Sequence, residues 1–162
     1  MERLANRTLE ATIDPCDLTV VVRDLRTGIV WRMQTAGPGD IGIKGHGGPW
    51  QGMPFAAAGS VVWEGNASRR TAVLSKWPYR PNVWSPMDFV VEVAFELRRD
   101  VLSVTVSTRN GRGEASLIDG YYPRGFLLPG KAGGALVLPY GQGCLLDTRF
   151  PCELDHTLPA YA

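Results

Sequence analysis

Trp50, Trp77, Tyr79 and Trp84 fall in irregular, glycine- and proline-broken stretches, and Tyr121 and Tyr122 stand directly before Pro123 and Arg124. A flat ring held outside a regular strand can stack on the apolar C–H face of a sugar at small entropic cost. A guanidinium or imidazole beside it supplies hydrogen bonds. Trp50, Trp77, Trp84, Tyr121, Tyr122 and Arg124 are therefore the candidate carbohydrate contacts, together with His46, which glycines flank in Gly45-His46-Gly47-Gly48. The plainer use of such rings is to plug the open edges of a β-structure, and that use is the commoner one.

Other chemistries find less support. His46 and His156 are the two histidines, far apart and without a spaced partner, so no metal site is expected. A general acid or base role for His46 would need a carboxylate or second histidine close by. Glycosidase chemistry needs two carboxylates facing each other across a bond. Glu92 and Glu96 share a face, but it is the polar face of a regular strand; Asp119, just before Gly120-Tyr121-Tyr122, meets a turn and is the more interesting carboxylate. Gly125 to Ala132, GFLLPGKA, nearly spells a phosphate-binding loop, yet Ala132 stands where the magnesium-holding Ser or Thr belongs. A strand-like run, not a helix, follows, so the segment reads as a turn. No catalytic residue and no cofactor is assigned.

The elements that must position these residues are strands. From Asp88 to Thr108, Phe89, Val91, Val93, Phe95 and Leu97 alternate with polar residues; beyond an Arg99-Asp100 turn, Leu102, Val104 and Val106 alternate with Ser103, Thr105 and Ser107. Two adjacent runs of period two predict an antiparallel hairpin with one buried face, which a second layer must cover. A similar hairpin is expected over Leu18 to Met33, turning at Asp24 to Gly28, with a short strand before it at Leu9 to Ile13. Strands are also expected near Phe55 to Glu64, Ala72 to Lys76, Ala115 to Tyr122 and Gly134 to Tyr140. Residues 35–54 read as a long surface loop with a short strand at Asp40 to Lys44, and 77–87 as an irregular aromatic segment. No helical period lasts ten residues. The fold class is thus all-β, an antiparallel β-sandwich of about a dozen strands in one domain over 1–162.

The chain has 162 residues and a net charge of +1, which gives no electrostatic case for nucleic acid or an anionic membrane. Nineteen glycines and twelve prolines break every apolar run well short of a bilayer span. No secretory signal is visible in MERLANRTLEATID, so a cytoplasmic location is favoured. Cys16, Cys144 and Cys152 are odd in number and form no C-x-x-C pair, which favours free thiols over a Cys144–Cys152 disulfide. Asn6-Arg7-Thr8 and Asn66-Ala67-Ser68 match the N-glycosylation tripeptide, which carries little weight without a secretion signal.

Three segments resemble a known family. Leu18 to Asp24 followed by Thr27-Gly28-Ile29-Val30-Trp31-Arg32 resembles an opening hairpin of V-x-D-x-x-T-G-x-x-W type; Phe89 to Val106 resembles its long central hairpin; and Tyr122-Pro123-Arg124 with Val137 to Gly143 resembles a later "yP … lvlP-x-G-x-G" pattern. In this order, from about Leu9 to Leu146, they are similar to the galactose-mutarotase-like β-supersandwich at the N-terminus of large glycoside hydrolases, including relatives of endo-α-N-acetylgalactosaminidases. The resemblance implies a non-catalytic, carbohydrate-associated module with a glycan and a catalytic barrel domain as partners. In such enzymes the catalytic carboxylates sit on the barrel, for which 162 residues leave no room. The abrupt tail from Leu154 to Ala162 fits a chain cut near a domain boundary. Two alternatives stand beside this expectation. One is a small standalone sugar epimerase using His46; the other is an assembly domain forming a homo-oligomer through its sheet edges.

Overall fold

The computed structural model describes residues 1–34, 39–44, 51–78, 89–110, 117–120, 122–124, 126–127, 135–138 and 144–147. His46, Trp50, Tyr79, Trp84, Asp88, Glu114, Tyr121, Cys152 and His156 lie outside them, as does most of the 125–132 segment. Every strand pairing is antiparallel, and the described residues contain no α-helix, so the chain is all-β. It divides into two compact units, Met1–Leu127 and Leu128–Ala162.

The first unit contains β1 (Glu2–Ala5), β2 (Leu9–Ile13), β3 (Val20–Asp24), β4 (Val30–Met33), β5 (Ile41–Lys44) and β6 (Gln51–Met53). It continues with β7 (Ser60–Gly65), β8 (Arg69–Ser75), β9 (Phe89–Arg98), β10 (Val101–Asn110), β11 (Leu117–Gly120) and β12 (Phe126–Leu127). Three sheets result, ordered β1-β2-β3-β4-β12, β10-β9-β8-β7 and β11-β5-β6. In the second unit, β13 (Ala135–Leu138) pairs with β14 (Cys144–Asp147), Ala135 opposite Asp147 and Leu138 opposite Cys144.

Alternation decides which face each strand buries. In β9, Phe89, Val91, Val93, Phe95 and Leu97 are buried while the residues between them are half-buried or exposed. The β9–β10 ladder runs unbroken from Phe89 opposite Asn110 to Arg98 opposite Val101, so Leu97, Phe95 and Val93 share their face with Leu102, Val104 and Val106. β2 and β3 show the same pattern, burying Leu9, Ala11, Ile13, Val20 and Val22. These residues join Leu4, Ile41, Ile43, Met53, Phe55 and Leu74 in one hydrophobic cluster fed by all three sheets. Each large side chain so buried stabilises the fold by about 1.5–3 kcal/mol before entropy is counted.

Two of the sheets are laid out alike. β1 to β4 and β7 to β10 are each four-stranded meanders, and each opens with an asparagine turn. Asn6 Oδ1 accepts the backbone N–H groups of Thr8 (2.8 Å) and Leu9 (2.9 Å). Asn66 Oδ1 does the same for Ser68 (2.9 Å) and Arg69 (3.1 Å). This self-capping is why asparagine favours turns. Before the second turn, Gly65 takes φ +111° and lies so close to Arg69 that a Cβ would stand 2.2 Å from its carbonyl oxygen. Only glycine fits there.

Several boundaries differ from the expected ones. The short strand expected at Asp40 to Lys44 forms as β5, but region 35–54 holds a second strand, β6, packed close to Gly39: a Cβ there would lie 2.6 Å from the Gly52 Cα. The strand expected from Phe55 begins at Ser60, because Pro54 opens a 3-10 turn over Phe55–Ala57 that sinks Phe55 into the core. β1 buries only Leu4, too little to leave a period. β12 is two residues held against Met33 and Arg32 in a stretch read as a turn.

Phe95 stacks on Trp63 and is fully buried, whereas Val62 is 51% exposed on the opposite face of the same sheet. Phe95→Ala is expected to cost about 3–5 kcal/mol in urea denaturation. Val62→Ala is expected to stay within about 0.5 kcal/mol of the parent.

Candidate functional site

Three of the sequence-predicted contacts are described, and none presents a free surface. Trp77 is buried and stacks in parallel on Phe89, with ring centroids 5.0 Å apart. Tyr122 is buried too, its ring 5.0 Å from that of Phe55 and edge-on to Phe95 at 6.3 Å. The Tyr122 hydroxyl donates to the Leu18 carbonyl at 2.6 Å. Burial pushes its phenol pKa far above the usual range, only partly offset by the Arg124 charge, so it remains a donor at any ordinary pH. Leu18 itself holds φ +57°, a left-handed conformation costly for a leucine, with its side chain fully buried.

Arg124 is the hub of a buried network. Nε donates to Asp40 Oδ1 at 2.5 Å and Nη2 to Asp40 Oδ2 at 3.0 Å, a bidentate pair. Nη2 also donates to the Asp17 carbonyl (2.8 Å), and Nη1 to Thr19 Oγ1 (3.0 Å) and the Gln34 carbonyl (3.3 Å). A guanidinium has five N–H donors, and these bonds use all of them. Asp40 Oδ2 accepts the Phe55 N–H as well, at 2.8 Å. Burial alone would lower the Arg124 pKa, but the hydrogen bonds and charge of Asp40, with Asp17, raise it instead. Arg124 therefore stays charged and saturated. It holds the fold together and has no donor left for a ligand. His46, Trp50, Trp84 and Tyr121 lie outside the described residues.

A different place in the first unit is open. Among the described residues β10 is the edge of its sheet, and its inward Leu102 and Val104 are only half-buried. Facing them across the first sheet are Leu9, Val22 and Trp31, the last opposite Val22 on the β3–β4 ladder. Between them lies a cleft of about 560 Å³. Its polar rim is Asp24 and Arg26 from the β3–β4 turn and Asp100 from the β9–β10 turn.

Turn chemistry sets that rim. Asp24 Oδ1 accepts the Arg26 N–H at 2.7 Å and the Thr27 N–H at 3.3 Å. The Gly28 N–H closes onto the Asp24 carbonyl at 2.8 Å, with Gly28 at φ +74°. Arg26 folds back to donate to both Asp24 carboxylate oxygens. Its side chain and backbone N–H hold the Asp24 carboxyl below the usual carboxylate range. Neighbouring turns are tied to it: the Leu25 N–H donates to the Thr8 carbonyl at 2.8 Å, and Asn6 Nδ2 and Thr8 Oγ1 both donate to the Arg99 carbonyl. The arrangement offers one aromatic ring, an apolar wall and two carboxylate acceptors. Asp24 is kept ionised and so is no proton donor. No group of His, Cys, Asp and Glu among the described residues could hold a metal ion.

Sequence reasoning passed over Trp31, because strict alternation in β4 marks it as core. What opens it to solvent is its place opposite an edge strand about seventy residues away, which no local pattern reports. No protein-family model matches the chain, and no curated protein sequence matches it.

Removing one partner of a buried ion pair strands the other charge. Asp40→Ala is thus expected to destabilise by about 3–5 kcal/mol in denaturant melts, and Tyr122→Phe by about 1–3 kcal/mol through the orphaned Leu18 carbonyl. Asp24 has a depressed folded pKa, so its stabilising contribution is present above the unfolded value of about 3.9 and fades as pH falls through the folded one. Asp24→Asn should flatten that acid-side loss in Tm measured against pH.

Proposed function

We propose that the chain is a non-catalytic, carbohydrate-associated β-sandwich of the galactose-mutarotase-like kind, a module that accompanies the catalytic barrel of a glycoside hydrolase, and that it takes sugar in the Trp31 cleft. The observation that supports this most directly is the composition of the cleft. A half-buried indole on an apolar wall suits the C–H face of a pyranose, and the carboxylates of Asp24 and Asp100 at the rim suit its hydroxyls. The non-catalytic part draws support from Asp24, whose carboxyl is lowered by Arg26, away from the raised value a general acid requires. The sandwich arrangement draws support from the single hydrophobic cluster shared by three antiparallel sheets. The sequence resemblance over Leu9 to Leu146 supports the family and the barrel partner.

A second reading, assembly through sheet edges, is favoured by one feature. β10 is a ten-residue edge strand with no Lys, Pro or bulge along it, and among the described residues nothing pairs with its outer side. Natural edges are usually blunted by such devices. The occupant would be a second copy, since antiparallel pairing about a two-fold axis sets Leu102, Val104 and Val106 against one another and Ser103, Thr105 and Ser107 against one another.

The two readings separate in a glycan-array screen run with analytical ultracentrifugation. Sugar capture by a monomer that Trp31→Ala loses by tenfold or more, about 1.4 kcal/mol, supports the first. Trp77→Ala should instead lower stability. A concentration-dependent dimer with no glycan bound would support the second.

A further inference from the structure

The cleft carries an unequal set of charges. Among the described residues Arg26 is the one cation lining it, and its Nε and Nη2 are spent on the Asp24 carboxylate at 3.3 and 3.1 Å. That pair is close to neutral from outside. Asp100, on the β9–β10 turn, is exposed, lines the same cleft and forms no ion pair among the described residues. Arg99, beside it in the chain, is exposed and is not part of the lining. One cation against two carboxylates leaves the described lining with a formal net charge of −1.

The apolar wall adds to this. An indole face attracts cations through its quadrupole, most strongly for tryptophan among the aromatic residues. Trp31 and Asp100 thus favour the same kind of group, a cation carried on a body with an apolar face. Leu102 and Val104 receive the apolar face. Among the described lining residues, a ligand carboxylate would meet two carboxylates against the single Arg26 guanidinium.

We infer that the sugar this cleft takes bears a protonated amine, a glucosaminyl-type unit in preference to an N-acetylated or uronic one. This rests on the cleft being a sugar site.

The test uses the full chain, ¹⁵N-labelled, titrated at low salt and mildly acidic pH with a glucosamine oligomer, its N-acetylated counterpart and an oligogalacturonate of equal length. The amine-bearing oligomer should bind about fivefold more tightly than the acetylated one, the upper range for one exposed ion pair, and the uronate most weakly. Asp100→Asn, confirmed as folded by circular dichroism, should erase the preference for the amine-bearing oligomer over the acetylated one. Salt should erase it as well. Equal affinity for all three, tightest binding of the uronate, or a preference that survives Asp100→Asn would overturn the inference and leave the sugar site standing. If no oligomer shifts any resonance of the folded protein, the sugar site itself fails and the inference with it.

Discussion

The ion pair between Arg124 and Asp40 is the constraint on which the rest of the first unit depends. One guanidinium gathers Asp17, Thr19, Gln34 and Asp40, and through Asp40 the N–H of Phe55. These residues come from connections between strands, where backbone groups most need partners. Burying two charges is expensive, and replacing such a pair by apolar residues is often no loss in stability. What the pair supplies here is register. It holds the segment after β11 in the one place where Tyr122 can enter the core between Phe55 and Phe95 and reach the Leu18 carbonyl. The left-handed backbone at Leu18 is held by its buried side chain on one side and this hydrogen bond on the other.

The cleft follows from how the sheets end. In the β9 row every inward residue is covered, but one strand further out, on β10, the cover stops and Leu102 and Val104 stay half-exposed. Trp31 faces that gap from the other sheet. The turns around it are joined by hydrogen bonds from Asn6, Thr8 and Leu25, so the rim is a set of short hairpin turns on regular strands. Polar groups on such turns are held in place before any ligand arrives, which lowers the ordering cost of binding.

Much of this was legible in the sequence wherever a local period exists. The β9–β10 hairpin, its Arg99-Asp100 turn and the β3–β4 hairpin follow directly from alternation and turn residues. β6 and β12 did not, because strands of two or three residues carry no period. The roles of Tyr122 and Arg124 were hidden for a different reason. Their partners lie 84 to 107 residues away in the chain, and an Arg beside aromatic residues looks the same in sequence whether it faces solvent or fills a core. Trp31 is the converse case, a strand residue whose exposure is decided by where a distant sheet ends.

The paired asparagine turns have a practical consequence for making the protein. Each is at once a hairpin closure and an acceptor tripeptide for N-linked glycans, Asn6-Arg7-Thr8 and Asn66-Ala67-Ser68. Both use the side-chain oxygen to cap the turn, but their amide nitrogens differ. Asn66 is exposed at its turn, whereas the nitrogen of Asn6 donates to the Arg99 carbonyl and so ties one hairpin to another. An oligosaccharide on Asn66 would project from the surface; one on Asn6 would crowd the joint beside the Trp31 cleft. A glycan attached at Asn6 would thus sit at the point where the turns are fastened, and one at Asn66 would not.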